Sequence, residues 1–236
     1  MKKHVCYSEI AYLLGIVLVA LGVAFMERAD FGVSMVVAPA YVLYRWINPM
    51  WEVFSFGMAE YCLQAVLLIL MMLVIRRFRI SYLFSFVTAV VYGFVLDGCM
   101  LLVSPLPADG YLLRAVWYIL GMVLCAAGVS MMFHTYVSPE VYELFVKEVS
   151  GRFGIGINRF KTCYDCVSCV CGLLLSFLCF GFGTFIGVSW GTIVCALING
   201  FIIGRFSAFY EKHWTFRDAF PLRSFFEGKD RAEKHG

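Results

Sequence analysis

The chain has 236 residues, of which 62% are hydrophobic and only 15% charged, and its mean hydropathy is +0.84. A soluble domain carries about 25% charged residues, and a globule of this size cannot hide so much apolar surface from water. A water-soluble enzyme, a disordered chain and a collagen are therefore excluded. A net charge of +3 likewise excludes a basic nucleic-acid-binding domain. What remains is a polytopic membrane protein whose first partner is the lipid bilayer.

A bilayer core about 30 Å thick needs roughly 20 apolar residues per crossing helix. Six runs meet that length, at about Glu9–Met26, Phe56–Ile75, Ser81–Leu102, Tyr111–Phe133, Cys163–Phe182 and Val188–Tyr210. No run alternates with period two, so a membrane barrel is not expected. The first run follows Met1-Lys2-Lys3-His4 like a signal sequence, but its apolar part is long and five more runs follow. It reads as an uncleaved first span. Phe31–Tyr44 is apolar but only about 14 residues long, which fits a re-entrant or interfacial segment rather than a seventh span.

The basic residues orient this arrangement. With six spans, 16 of the 19 Lys and Arg fall on the side of the termini, leaving Arg28, Arg45 and Arg114 on the other. The positive-inside rule then puts both termini in the cytoplasm. A seventh span would move Arg76, Arg77, Arg79 and the basic tail outside, against that rule.

An internal repeat is the most informative pattern. Gly15–Val23 (GIVLVALGV) and Gly121–Val129 (GMVLCAAGV) share six of nine positions at an offset of 106. Tyr92–Asp97 and Asn199–Gly204 align at an offset of 107. The unit holds three spans, dividing the chain into residues 1–105, 106–210 and a polar cytoplasmic tail, 211–236. An odd-span unit repeated in tandem enters the membrane the second time from the opposite side, as in secondary transporters with inverted repeats. The expected fold is thus all-α: six transmembrane helices in two inverted three-helix repeats, each with a short re-entrant or interfacial helix.

A Ser/Pro segment follows the first span of each half: Ser34 to Pro39, and Ser138-Pro139-Glu140. Ser138 suits an N-cap, Pro139 the first helical turn and Glu140 the positive helix end. Polar residues inside the apolar runs are costly and need a reason. Glu60 and Gln64 lie one turn apart on one helix face. Asp165, at an offset of 105 from Glu60, is a repeat mate, and a facing Glu60/Asp165 pair would bind a cation or relay protons. Asn199 lies beside Gly200 in the last span. Glu60, Gln64, Asp165, Asn199, Ser34 and Ser138 are therefore the candidates for lining a solute path. Asp97, at the end of the third span, reads as a residue at headgroup depth.

The remaining motifs point to little chemistry. Cys163, Cys166, Cys169 and Cys171 approach an iron–sulfur spacing but lie in a helical run with the fourth ligand misplaced, so they read as small packing residues. His134 reads as an interfacial hydrogen-bonding residue. There is no Walker loop, GxSxG or HExxH motif, and no nucleophile–base pair is evident. No catalytic residue, metal or cofactor is expected. The GxxxG spacing at Gly200 and Gly204 is too slight a basis for a homo-oligomer. The tail interleaves Trp214, Phe216, Phe220, Phe225 and Phe226 with basic residues. It fits either a segment resting on an anionic leaflet or a disordered end.

The layout of Gly32-Val-Ser34, Pro39, Ser138-Pro139-Glu140, Gly154-Ile-Gly156, Gly187-Val-Ser-Trp-Gly191-Thr192 and Asn199-Gly200 resembles the YczE/YyaS/YitT family of bacterial multi-pass membrane proteins. The resemblance covers roughly residues 10–208. It implies an inner-membrane protein with no agreed substrate and no established catalytic residues. The chain departs from that pattern near Leu174–Gly183. The sequence as a whole points to a secondary transporter or permease for a small solute, with a coupling ion. The alternative is a non-transporting accessory or regulatory membrane protein acting through a partner.

Overall fold

The computed structural model describes residues 4–76, 78, 80–137 and 140–219. The elements in chain order are β1 (His4–Tyr7), α1 (Ser8–Ala29), α2 (Ala38–Ile47), α3 (Phe56–Ile75), α4 (Ile80–Val103), α5 (Tyr111–Phe133), α6 (Val141–Phe153), α7 (Ile157–Phe180), α8 (Trp190–His213) and β2 (Trp214–Arg217). Six of the helices, α1, α3, α4, α5, α7 and α8, are long and apolar enough to cross a bilayer. At 1.5 Å per residue the ten-residue α2 reaches about 15 Å, half the bilayer core. The apolar stretch after α1 is therefore a short helix and not a seventh span.

Antiparallel packing of α1 on α5 forms the centre of the bundle. Gly15 lies against Gly128 and Gly22 against Gly121. A Cβ on Gly22 would stand 2.6 Å from the Gly121 carbonyl oxygen, and one on Gly121 would stand 2.5 Å from that of Gly22. Lipid tails are as apolar as leucine, so helices in a membrane associate by close backbone approach at small residues. The glycines that meet are those of the GIVLVALGV and GMVLCAAGV segments. α4 covers α1 on one side and α8 covers α5 on the other.

The two short helices run within the bundle. α2 packs on α7, where its N-terminal Ala38 and Pro39 meet Gly172, eight residues before the end of that helix. Its other end stacks Tyr44 on Phe56 at the start of α3. α6 packs on α3. The Val141 amide donates to Gln64 Oε1 (3.0 Å), and Tyr82 donates to Glu148 (3.0 Å) toward the opposite end of α6. Each short helix thus begins at mid-depth and runs to a surface, α2 to one end of the bundle and α6 to the other.

The Ser/Pro expectation is corrected in detail. α6 begins at Val141 with Glu140, expected inside the helix end, at its cap; Ser138 and Pro139 lie outside the described residues. Strands were not expected. β1 and β2 nevertheless pair in parallel, His4 with Trp214 through Tyr7 with Arg217, and bring the start of α1 and the end of α8 to the same end of the bundle. That pairing accounts for Trp214 and Phe216 of the tail, whose other aromatics, Phe220, Phe225 and Phe226, lie outside the described residues.

Candidate functional site

A small cavity of about 50 Å³ lies where the N-terminal ends of α2 and α6 approach one another. Its wall includes Ser34, Val36 and Val37 before α2, Glu140, Tyr142 and Glu143 of α6, Tyr92 of α4, Lys161 of α7 and Asn199 of α8, closed by apolar groups of α1 and α5. Space of this size holds a few water-sized groups.

Local chain geometry positions the wall. Gly32 adopts φ +94°, a left-handed conformation open to glycine, and a Cβ there would also stand 2.8 Å from the Ser189 amide. Beyond it the Val33 amide donates to the Gly187 carbonyl (3.0 Å), the Thr192 hydroxyl to the Val33 carbonyl (2.8 Å), and the Gly191 amide to the Phe31 carbonyl (3.0 Å). The segment before Ser34 is thereby sewn to the start of α8. On the far side of this segment lies a second cavity, of about 210 Å³, with Glu27, Asp30 and Tyr41 in its wall. Tyr41 donates to Glu27 (3.2 Å), and Asp30 pairs with Arg114 (2.9 Å).

Behind the central cavity sits a polar cluster. Gln64 Nε2 donates to Glu140 (3.3 Å), and Tyr142 donates to Glu60 (2.9 Å). Glu60 and Gln64 are fully buried. Burial raises the Glu140 carboxyl well above the usual carboxylate range, and the nearby Glu143 and Glu60 push it further. Lys161 faces Asp165 at 3.7 Å, one helical turn away on α7.

Of the residues singled out in the sequence, Ser34 and Asn199 line the cavity. Glu60 and Gln64 stand behind it, anchoring Tyr142 and Glu140. Asp165 is held by Lys161. Glu60 and Asp165 do not bond to each other, because α6 lies against both α3 and α7 and supplies the partner of Glu60. Ser138 lies outside the described residues. Asp97 accepts from the Ser55 hydroxyl (2.5 Å) and the Gly57 amide (2.8 Å), capping α3. His134 Nδ1 donates to the Ser130 carbonyl (2.8 Å), and its ring stacks on Phe216.

Sequence reasoning missed Glu143, Tyr92 and Lys161 and gave Glu140 only a capping role. A signal was present in the repeat offset. Six pairs of cavity residues lie 106 or 107 positions apart: Val19 and Cys125, Val23 and Val129, Ser34 and Glu140, Val36 and Tyr142, Val37 and Glu143, and Tyr92 and Asn199. Among the described residues, two polar atoms of the wall, the Tyr92 hydroxyl and Asn199 Oδ1, are buried without a hydrogen-bond partner. They belong to one of those pairs.

Six helices long and apolar enough to cross a bilayer, with two shorter helices packed among them, define an integral membrane protein. Residues 6–208 match a family described as a family of unknown function (DUF6198), and the chain belongs to that family. No curated protein and no solved structure matches it.

Proposed function

We propose that the protein is a secondary transporter or permease-like protein for a small solute, built from two inverted three-helix repeats (residues 1–105 and 106–210) around the central cavity. The observation that carries this reading is the composition of the cavity wall, to which six pairs of residues 106 or 107 positions apart contribute. A two-fold axis in the membrane plane brings repeat mates together only on the axis itself. The reciprocal contacts of Gly15 with Gly128 and Gly22 with Gly121 fit the same axis, since Gly15 and Gly121 are mates, as are Gly22 and Gly128. So does the exchange of short helices, α2 onto the second half and α6 onto the first. Transporters of this architecture place the substrate at the midplane, where half-helices end, and rock one repeat against the other.

The cavity residues Ser34, Asn199 and Glu140 contact the solute in this reading, while Glu60, Gln64 and Asp165 support them. No step requires a catalytic nucleophile, so the protein is not an enzyme. The resemblance to the YczE/YyaS/YitT family supports a bacterial inner membrane, and the gathering of 16 of the 19 Lys and Arg on the side of the termini supports both termini being cytoplasmic.

The test is a screen of labelled small solutes in proteoliposomes, with and without a pH gradient. Asn199→Ala and Glu60→Gln abolish flux while the protein inserts and stays monodisperse. An accessory protein acting through a partner tolerates both changes and shows no flux, which would overturn the proposal.

A further inference from the structure

The central cavity is lined by side chains that can accept hydrogen bonds, the hydroxyls of Ser34 and Tyr92 being donors as well. The α6 N-terminus is not open to an anion: its Val141 amide is taken by Gln64, and the carboxyl groups of Glu140 and Glu143 already crowd its positive end. The turn before α2 is closed in the same way, with the Val37 and Ala38 amides both donating to the Ser34 carbonyl (3.1 and 3.0 Å). Lys161 supplies the cavity's cationic side chain and faces Asp165. Against these stand Glu140, the Ser34 hydroxyl, and the two orphaned oxygens of Tyr92 and Asn199. Tyr92 is 0% exposed, and its hydroxyl, left without a partner in a cavity wall, calls for a bound group. Such a ligand is small, carries several N–H donors and is positive.

We infer that the central cavity binds an ammonium ion or a small primary ammonium, held by the Glu140 carboxylate, the Tyr92 hydroxyl and Asn199 Oδ1. The inference rests on the transport reading and names its substrate class. Charge balance at the site is simple. The ammonium enters as the cation, the O–H bond of neutral Glu140 breaks, its proton leaves to water, and the carboxylate keeps the electron pair. Around Glu140 the facing groups are Tyr12 of α1, Glu60 and Gln64 of α3, Tyr92 of α4, Cys125 of α5, Glu143 of α6, Lys161 of α7 and Asn199 of α8. Lys161, the one ammonium group among them, is already paired with Asp165.

The experiment is calorimetric titration of the purified full chain in detergent with ammonium chloride, methylammonium chloride, tetramethylammonium chloride and sodium chloride, in weak buffer with a pH dye. Ammonium and methylammonium bind with release of a proton, whereas tetramethylammonium, which has no N–H, does not. Tyr92→Phe weakens ammonium binding about tenfold, the loss of one hydrogen bond to a charged group. Glu140→Gln abolishes the proton release, and circular dichroism shows both variants folded. Equal binding of sodium or tetramethylammonium, or unchanged ammonium affinity in folded Tyr92→Phe, overturns the inference. If the wild-type chain binds no ammonium yet carries another solute in the proteoliposome screen, the substrate class fails and the transport reading stands.

Discussion

Glu140 and Ser34, 106 positions apart in the sequence, both line the central cavity, one with a carboxyl group and the other with a hydroxyl. A carboxyl group fully enclosed beside Glu60 and Glu143 prefers to be neutral, so its proton is held to a higher pH in the folded protein than in the unfolded chain. The stability this contributes is complete below the unfolded value of about 4.3 and is lost as pH rises through the higher folded value, at about 1.4 kcal/mol per pH unit. Solubilised wild-type protein should therefore melt at progressively lower temperature from mildly acidic to mildly alkaline pH. Glu140→Gln, which keeps an acceptor for Gln64, should flatten that slope in a differential scanning fluorimetry series. An equally steep fall in the variant would show that another group dominates.

At the scale of the elements, α1 and α5 depend on the absence of side chains at their crossing. Gly22→Val or Gly121→Val places carbon within van der Waals conflict of a facing backbone carbonyl, which a rigid helix pair relieves only by moving apart. Either change should cost several-fold in the monodisperse fraction recovered by size exclusion. Gly200→Val should be silent, because nothing lies within 4 Å of a Cβ there. The same elements show what was legible beforehand. Crossing helices announce themselves by length and hydropathy, and the GIVLVALGV repeat marked the helix pair that now forms the centre. α2 was visible only as a stretch too short to span. The depth of α6 was not visible at all, since VYELFVKEV reads equally well as a surface helix until Gln64 is seen to bind its first amide. Glu60 and Gln64 were recognisable as costly polar residues, whereas Tyr92 was hidden because a tyrosine among apolar residues raises no alarm until its hydroxyl is found without a partner.

For the whole molecule, the alternation of helix directions fixes which loops share a side. Reporter fusions after Lys147 and within the tail should give the same signal, and a fusion at Ala108 the opposite one. A match between Lys147 and Ala108 would dismantle the six-crossing arrangement and the cavity with it. The short parallel sheet has a consequence for how the protein is made. His4–Tyr7 is synthesised before α1 and Trp214–Arg217 after α8, so the first strand has no β2 to pair with while α1 to α8 are made. Its closure is a checkpoint in time: the backbone hydrogen bonds that join the two strands form only in a molecule whose α1 to α8 have already been threaded.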